Sequence, residues 1–502
     1  MRGPRGYHML GRRGLVLGGL LAGCTRRRAP HADGTLALHG RPEAAWGVQS
    51  GDVTASRAVV WCRADRAARL AVEWSTSPSF EGPRRAAPSV ASAETDYVAK
   101  ASLDELPAGT RIHYRARFEA ERESPWIAGS FSTAPQDDRD VTFAWSGDTN
   151  GQGWGIDPSR GGMPAYAALL ARSPDFFLHC GDAIYADNPI PPEIALADGT
   201  VWRNVVTPAK SRVADTLDDF RGAFLYSRLS SEVRALSASV PTFAIWDDHE
   251  VQNNWFPGMS PAVDRRAVSA RRAMFEHWPT LVDPSRPMYR SVKWGPRLEV
   301  FLLDGRSHRT PNDPAPPAEA FLGSAQLAWL IDALTRSKAT WKVIVCNMPI
   351  GLVVSEPARG GGQAFDGLAN RDGPPSGREV ELATLFSALR ARGVDNVVWL
   401  TADVHFAAAH HYDPSRAQLD MSPFWEFVAG PMHATSFPRK PLDDTFGPEV
   451  VYVSTDWTTL GSPATGAQSF GVIRIDGRSG MMTVTLVDGR GRDLHSSVLR
   501  PR

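Results

Sequence analysis

Cysteine is scarce: the 502 residues contain four, Cys24, Cys62, Cys180 and Cys346. No two form a CxxC pair, and with Cys24 set aside the odd, widely spaced remainder argues against a disulfide framework and against a CxxC metal site. Cys180 and Cys346 fall in apolar strand-like runs, where free cysteine is usually a small buried hydrophobe. Charge of one sign is not in excess either. There are 55 basic and 55 acidic side chains, so no basic surplus argues for a nucleic-acid partner. Internal repeats are absent. The glycine-rich PARGGGQ at 357–363 lacks the GK[ST] tail of a P-loop and reads as a flexible surface or lid loop. What is present, 42% hydrophobic residues and 16 tryptophans, indicates a well-packed body long enough for two or three domains.

Residues 1–24 join a basic stretch, MRGPRGYHMLGRR, to an apolar run, GLVLGGLLAG, too short to span a bilayer and ending at Cys24. This predicts an export signal. Leu21-Ala22-Gly23-Cys24 resembles the lipobox at which bacterial lipoproteins are cleaved and acylated, and Arg12-Arg13 resembles a twin-arginine signal. A plain secretory signal with a chance cysteine is the alternative. Acylated Cys24 would hold the chain to a membrane surface, which predicts an exported bacterial protein, periplasmic or membrane-anchored. Residues 25–45 lack apolar periodicity and read as a tether.

Residues 46–134 contain short alternating strands, AVVWCRA, LAVEWS, DYVAKASL, RIHYRARFEA and AGSFST, separated by turn signals such as Leu106-Pro107-Ala108-Gly109. They predict an all-β sandwich of the fibronectin or immunoglobulin type, acting as a spacer or a wall of the active site. Over 135–502 apolar runs alternate with helical stretches such as AYAALLARS and AQLAWLIDALTRS, which predicts an α/β domain. The strand-rich end, VVYVST, FGVIRID and MTVTLVD, completes a sheet edge.

Six of those runs end in polar residues. VTFAWS leads to Gly147-Asp148-Thr149-Asn150, DFFLHC to Gly181-Asp182-Ala183-Ile184-Tyr185, and TFAIW to Asp247-Asp248-His249-Glu250. LEVFLL leads to Asp304-Gly305-Arg306, WKVIVC to Asn347-Met348-Pro349, and NVVWLTA to Asp403-Val404-His405. Ligands bind beyond the carboxyl ends of strands in open α/β sheets. Carboxylates gathered there would repel and pay for desolvation unless cations joined them. Hard oxygen donors with one or two imidazoles suit iron, manganese, zinc or calcium.

The series GD, GDxxY, DDHE, N-x-P and D-x-H resembles the calcineurin-like metallophosphoesterase superfamily. With the preceding β-domain, WDDHEVQNNW and LTADVH, the chain from about Trp46 onward resembles the alkaline phosphatase D (PhoD-like) family of exported phosphatases and phosphodiesterases. The resemblance implies a phosphate ester hydrolase that attacks with a metal-bound hydroxide. Asp148 would hold a first metal, Asp182 would bridge two, and Tyr185 would supply a phenolate favouring ferric iron. Asp248, Asn347, Asp403 and His405 would be further ligands, as would Asp304. His249 would face substrate and protonate the leaving group, while Arg306 would clamp phosphate. Two or more ions are implied, iron with calcium, with manganese or zinc as alternatives. An iron-ligating cysteine of the better-known members is absent; SGDTNGQGWGID occupies its place, and Asp148 is the substitute. Asn347 replaces a more usual ionisable ligand. Structural alternatives are packing for Tyr185, an ion pair to Asp304 for Arg306, and packing rather than pocket walls for Trp154, Trp246 and Trp255. His179, His410 and His411 are assigned to the core or loops. A phosphodiesterase or phospholipase D-like enzyme is a second functional reading. A non-catalytic surface lipoprotein with a decayed site is a third. The oligomeric state is not specified by the sequence.

Overall fold

The apolar runs that end in polar clusters fold as strands covered on both faces. Val141–Ser146, Phe176–Cys180 and Thr242–Ile245 pair in parallel in one sheet. Leu298–Leu302, Trp341–Val345, Val397–Thr401 and Phe424–Val428 do so in another. Alternate side chains meet between the sheets: Phe143, Trp145, Phe176, Leu178, Phe243 and Ile245 share one core with Val300, Leu302, Val343, Val345, Val398 and Leu400. The outer faces are apolar too. Phe301, Ile344 and Trp399 pack with the helices Gly323–Arg336 and Glu379–Ala391, and Ala144 and Phe177 with Pro164–Ala171 and Ser231–Ser239. Ala244 and Trp246 pack with Leu217–Tyr226 and Pro261–His277. Burial on two sides explains why these strands read as continuous apolar runs without alternation.

The computed structural model describes residues 38–282, 284–312, 320–358 and 362–502. The export signal, Cys24, most of the tether and 359–361 of the glycine-rich stretch lie outside the described residues. Cys62, Cys180 and Cys346 are buried and unpaired, and burial pushes the Cys62 thiol up to about 12. No helix among the described residues is long and apolar enough to cross a membrane.

Further strands, all antiparallel to their neighbours except where Val48–Gly51 meets Thr242–Ile245, extend both sheets. The first has nine strands, with Ser469–Ile475, Met482–Asp488 and Asp493–Leu499 on one side and Val48–Gly51, Ala58–Arg63 and Val98–Leu103 on the other. The second has seven, edged by Arg290–Trp294 and by Pro448–Val453. The N-terminal β-region forms two layers, since a five-stranded sheet containing Ala68–Ser75 and Arg111–Glu119 packs on the strands Ala58–Arg63 and Val98–Leu103. Its alternation is visible in Arg111–Glu119, where Ile112, Tyr114, Ala116 and Phe118 are fully buried. One of its layers is not a separate sheet, however, but continues the nine-stranded one.

That continuity depends on a close backbone approach. Gly51 pairs in parallel with Thr242, and a Cβ there would lie 2.7 Å from the Thr242 carbonyl oxygen and 2.5 Å from Cγ of Pro279. No side chain fits without displacing backbone. Gly51→Ala is expected to cost about 1–3 kcal/mol by overpacking, read as a lower denaturation midpoint. Val268→Ala, on a residue 71% exposed, should leave the midpoint within the scatter of about 0.5 kcal/mol seen for surface changes.

Candidate metal centre

Five residues at the strand ends adopt positive φ without being glycine: Asp148 (65°), Asn150 (65°), Asp182 (51°), Asp403 (65°) and His405 (62°). Asp, Asn and His tolerate this region best, and a cluster of such residues stores local strain of the kind found at functional sites. Each chain reversal turns a side chain back over the end of its sheet. Asp148 and Asp182 lie two residues beyond the strands Val141–Ser146 and Phe176–Cys180, and the reversal after Val397–Thr401 carries Asp403 and His405.

Three groups converge there. Asp148, Asp182 and His405 offer ligand atoms within 4.8 Å of one another, as do Asp182, Asp248 and His249, and Asp247, Asp248 and Asp403. Asp182 and Asp248 each belong to two groups, so the three form one continuous cluster. Tyr185 joins through its hydroxyl, 2.7 Å from Nε2 of His405, and the same nitrogen stands 3.4 Å from Oδ1 of Asp148. The other His405 nitrogen, Nδ1, lies 2.5 Å from the Thr435 carbonyl oxygen, which fixes the ring and leaves Nε2 facing the cluster.

The electrostatics are those of an acidic site short of positive charge. Burial, and then Asp248, Asp247 and Glu250, hold Asp182 well above the usual carboxylate range. Burial followed by Asp247, Asp366 and Asp248 raises Asp403 in the same direction. Oδ2 of Asp148 is buried without a hydrogen-bond partner among the described residues, and Oδ1 of Asp248 likewise has none, its one ion pair being to Arg306 at 3.5 Å. Such orphaned oxygens, beside a phenol and an imidazole, form a donor set suited to hard or borderline cations. The residues present therefore fit bound metal ions.

Other expected residues have different surroundings. Asp304 lies outside the three groups: its Oδ1 accepts from Nε1 of Trp246 at 2.9 Å and from the Ser307 amide at 2.9 Å. Arg306 is fully buried and pairs with Asp247 at 2.5 Å, Asp248 at 3.5 Å and Asp366 at 3.3 Å, while only its backbone amide reaches Asp304. Asn347 is fully buried and donates Nδ2 to Asp247 at 2.6 Å. Trp246 packs edge-on against Trp255 with centroids 4.9 Å apart, and Trp154 donates Nε1 to Oγ1 of Thr435. His179 and His410 are buried, held by Thr149 and Glu426 respectively.

Sequence reasoning missed the supports. Glu250 accepts from the amides of Asp247 at 2.8 Å, Ala183 at 2.7 Å and Asp182 at 3.2 Å, locking two of the reversals together. Asp187 holds Nδ1 of His249 at 2.7 Å. Burial opposes a charge on His249, but Asp248 and Asp187 outweigh it and bring its pKa to about 9. Asp366 bridges Arg306 and Arg309. Glu250 adjoins the DDH motif and Asp187 follows GDxxY by two residues, whereas nothing local marks Asp366.

Asp366 begins a segment whose far end is clasped by a second acid pair. Asp443 accepts from the Asn370 amide at 3.1 Å, and Glu379 accepts from the Ser376 amide at 3.0 Å. Oδ1 of Asp443 and Oε1 of Glu379 are buried without a hydrogen-bond partner among the described residues. A shared proton reconciles the two. Burial, then Glu379, pushes Asp443 up to about 9.

Comparison with known proteins places this geometry in context. Residues 143–486 match the family model described as PhoD-like phosphatase, and residues 31–135 match that of the PhoD-like phosphatase N-terminal domain. Alkaline phosphatase D of Bacillus subtilis (strain 168) is 28% identical over 283 residues, a match spanning 51% of this chain and 45% of that protein. The solved structure of PhoD superposes with a TM-score of 0.70 at 20% identity, covering 91% of this chain and 88% of the other. Purple acid phosphatase PPD1 from yellow lupin seeds gives 0.59 at 13% identity, covering 90% and 74%. These likenesses show a metallophosphoesterase fold.

Two measurements test the site. Elemental analysis after dialysis should find at least two ions per chain in the wild type and fewer in Asp182→Asn, which removes a residue shared by two groups. Asp304→Asn should keep the wild-type content if its role is to brace the loop. The acid pair sets an alkaline limit. A carboxyl whose folded pKa is raised stabilises the fold below its ordinary range, and that contribution is lost as pH rises through about 9. Unfolding midpoints should therefore decline into that region, and Asp443→Asn should flatten the decline.

Proposed function

This chain belongs to the PhoD-like phosphatase family, and from that premise we propose that it is an exported, metal-dependent hydrolase of phosphate esters. The observation that carries the reading is the sharing of Asp182 and Asp248 between adjoining ligand groups. This is the arrangement expected where one carboxylate serves two ions. Asp148, Asp182, Tyr185 and His405 would hold the first ion; Asp182, Asp248, Asn347 and Asp403 the second. Ions bound there would act as Lewis acids towards the phosphoryl oxygens and lower the pKa of a coordinated water towards about 7.

The remaining steps belong to side chains. His249 has Nδ1 committed to Asp187, which leaves Nε2 as the nitrogen able to donate a proton to the departing alkoxide. Arg306, already shared among three carboxylates, places a fixed positive charge beside the cluster, where it offsets negative charge as the ester reacts. Buried as it is, it acts through the field and through Asp247 and Asp248 as well as by any contact with phosphate. The N-terminal β-layers, read as fibronectin-like, wall the catalytic half. The leader-like first 24 residues support export, and Cys24 supports anchoring at a membrane.

Monoesters and diesters are both compatible with this chemistry, and the complete ligand set argues against a decayed site. The purified protein without its leader should hydrolyse a chromogenic phosphodiester or the matching monoester after iron, calcium, manganese or zinc is restored. Asp182→Asn should be inactive on both, and the ratio of the two rates decides between diesterase and phosphatase. His249→Ala should lose about 10²–10⁴-fold with a poor leaving group and much less with nitrophenol. Equal rates for wild type and variant on an alkyl ester would exclude the acid role.

A further inference from the structure

Behind the loop that carries Asp148 lies a cavity of about 60 Å³, bordered by Arg228, Trp278, Ser227, Gln49 and His277 among others, with no carboxylate in its lining. Arg228 is only 6% exposed. A buried guanidinium without an acid is costly, because desolvation is not returned by an ion pair. Its Nη2 donates to Oε1 of Gln49, and its carbon lies 4.2 Å from the centre of the Trp61 ring. Those contacts are neutral. Its other terminal nitrogen, Nη1, has no hydrogen-bond partner among the described residues. Arg234 is close, donating to the Arg228 carbonyl oxygen at 2.6 Å, and adds positive charge instead of cancelling it. The nearby Asp96 is engaged by Arg63 at 2.7 Å and stands 3.4 Å from His277.

Further donors border the same space. Nε1 of Trp278 is buried and also unpartnered. The Ser227 hydroxyl accepts from Nδ2 of Asn150 at 2.7 Å, so its own proton is free to be given elsewhere. Thus a buried cation, an indole N–H and a hydroxyl surround a space larger than the roughly 10–15 Å³ that one water needs.

We propose that this cavity binds a small inorganic anion of the halide type, chloride in the first instance, held by Nη1 of Arg228, Nε1 of Trp278 and the Ser227 hydroxyl. The anion supplies the missing countercharge at the junction between the N-terminal strands, which contribute Gln49 and Trp61, and the catalytic half. Through Ser227 and Asn150 it also supports the loop that holds Asp148. Its role is structural, and it is separate from the acidic cluster.

Bromide is the direct probe. Crystals of the wild-type protein grown in bromide should show an anomalous peak in contact with Arg228. In solution, unfolding midpoints measured at constant ionic strength, with gluconate replacing chloride, should rise with halide concentration, because a ligand of the native state alone stabilises it by mass action. Arg228→Met should abolish the rise. Should that variant fail to fold, Trp278→Phe keeps the ring and removes the donor, and about tenfold more halide should be needed for the same shift. A midpoint indifferent to halide, no bromide at Arg228, or an unchanged halide response in both variants would overturn the proposal. A peak seen only at molar bromide, without any effect on stability, would mark an adventitious ion only and would equally overturn it.

Discussion

The crowding of carboxylates at the ends of two sheets is the constraint on which the rest of the structure depends. Asp148, Asp182, Asp247 and Asp248 are each at most 3% exposed, and Asp403 adjoins them. Like charges in a poorly solvated place repel strongly, and a flexible chain would let them separate. This chain prevents that by anchoring each residue to a strand whose two faces are buried, so that dispersal would require breaking the core. Arg306 neutralises part of the charge through Asp247 and Asp248. The part it leaves falls on Asp182 and Asp148, the side of the cluster where Tyr185 and His405 are found.

Holding the cluster also costs the backbone. The reversals at Asp148, Asp182, Asp403 and His405 take positive φ, and such conformations persist only where surrounding contacts over-determine them. Glu250 provides such contacts by accepting from three amides, those of Asp182, Ala183 and Asp247. Glu250, the last acid of the Asp247-Asp248-His249-Glu250 run, is thus a brace for two loops. Asp304 braces its surroundings as well, since its Oδ1 is held by Trp246 and the following turn.

The strands and much of the cluster were legible because burial on both faces writes continuous apolar runs, and a run that stops at Gly-Asp or Asp-Asp-His marks its own exit. The sandwich pattern of Arg111–Glu119 was legible for the complementary reason, one face in and one out. The joining of its partner layer to the catalytic sheet was not, because it depends on the close approach of Gly51 to Thr242 across 191 residues of sequence, an intimacy no local pattern records. Asp366 was hidden for the same reason: its partners, Arg306 and Arg309, lie 60 and 57 residues away. Motifs name the residues that the chemistry uses, and the residues that hold them in place come from wherever the chain passes.

The positive side of the molecule follows the same logic in reverse. At the carboxyl ends of the strands, acids outnumber the bases that face them, a deficit that bound cations would make up. Behind the Asp148 loop, Arg228 meets no acid among the described residues that line its cavity, and its neutral neighbours Gln49 and Trp61 reduce the deficit without removing it. Neither imbalance is corrected by the other, because the loop Gly147–Asn150 stands between them and is tied to both, through the carboxylate of Asp148 in front and through Asn150 to Ser227 behind. A loop tied at both sides to groups of opposite deficit is held by two independent electrostatic demands, so relaxing either one loosens the loop without collapsing the sheets that support it.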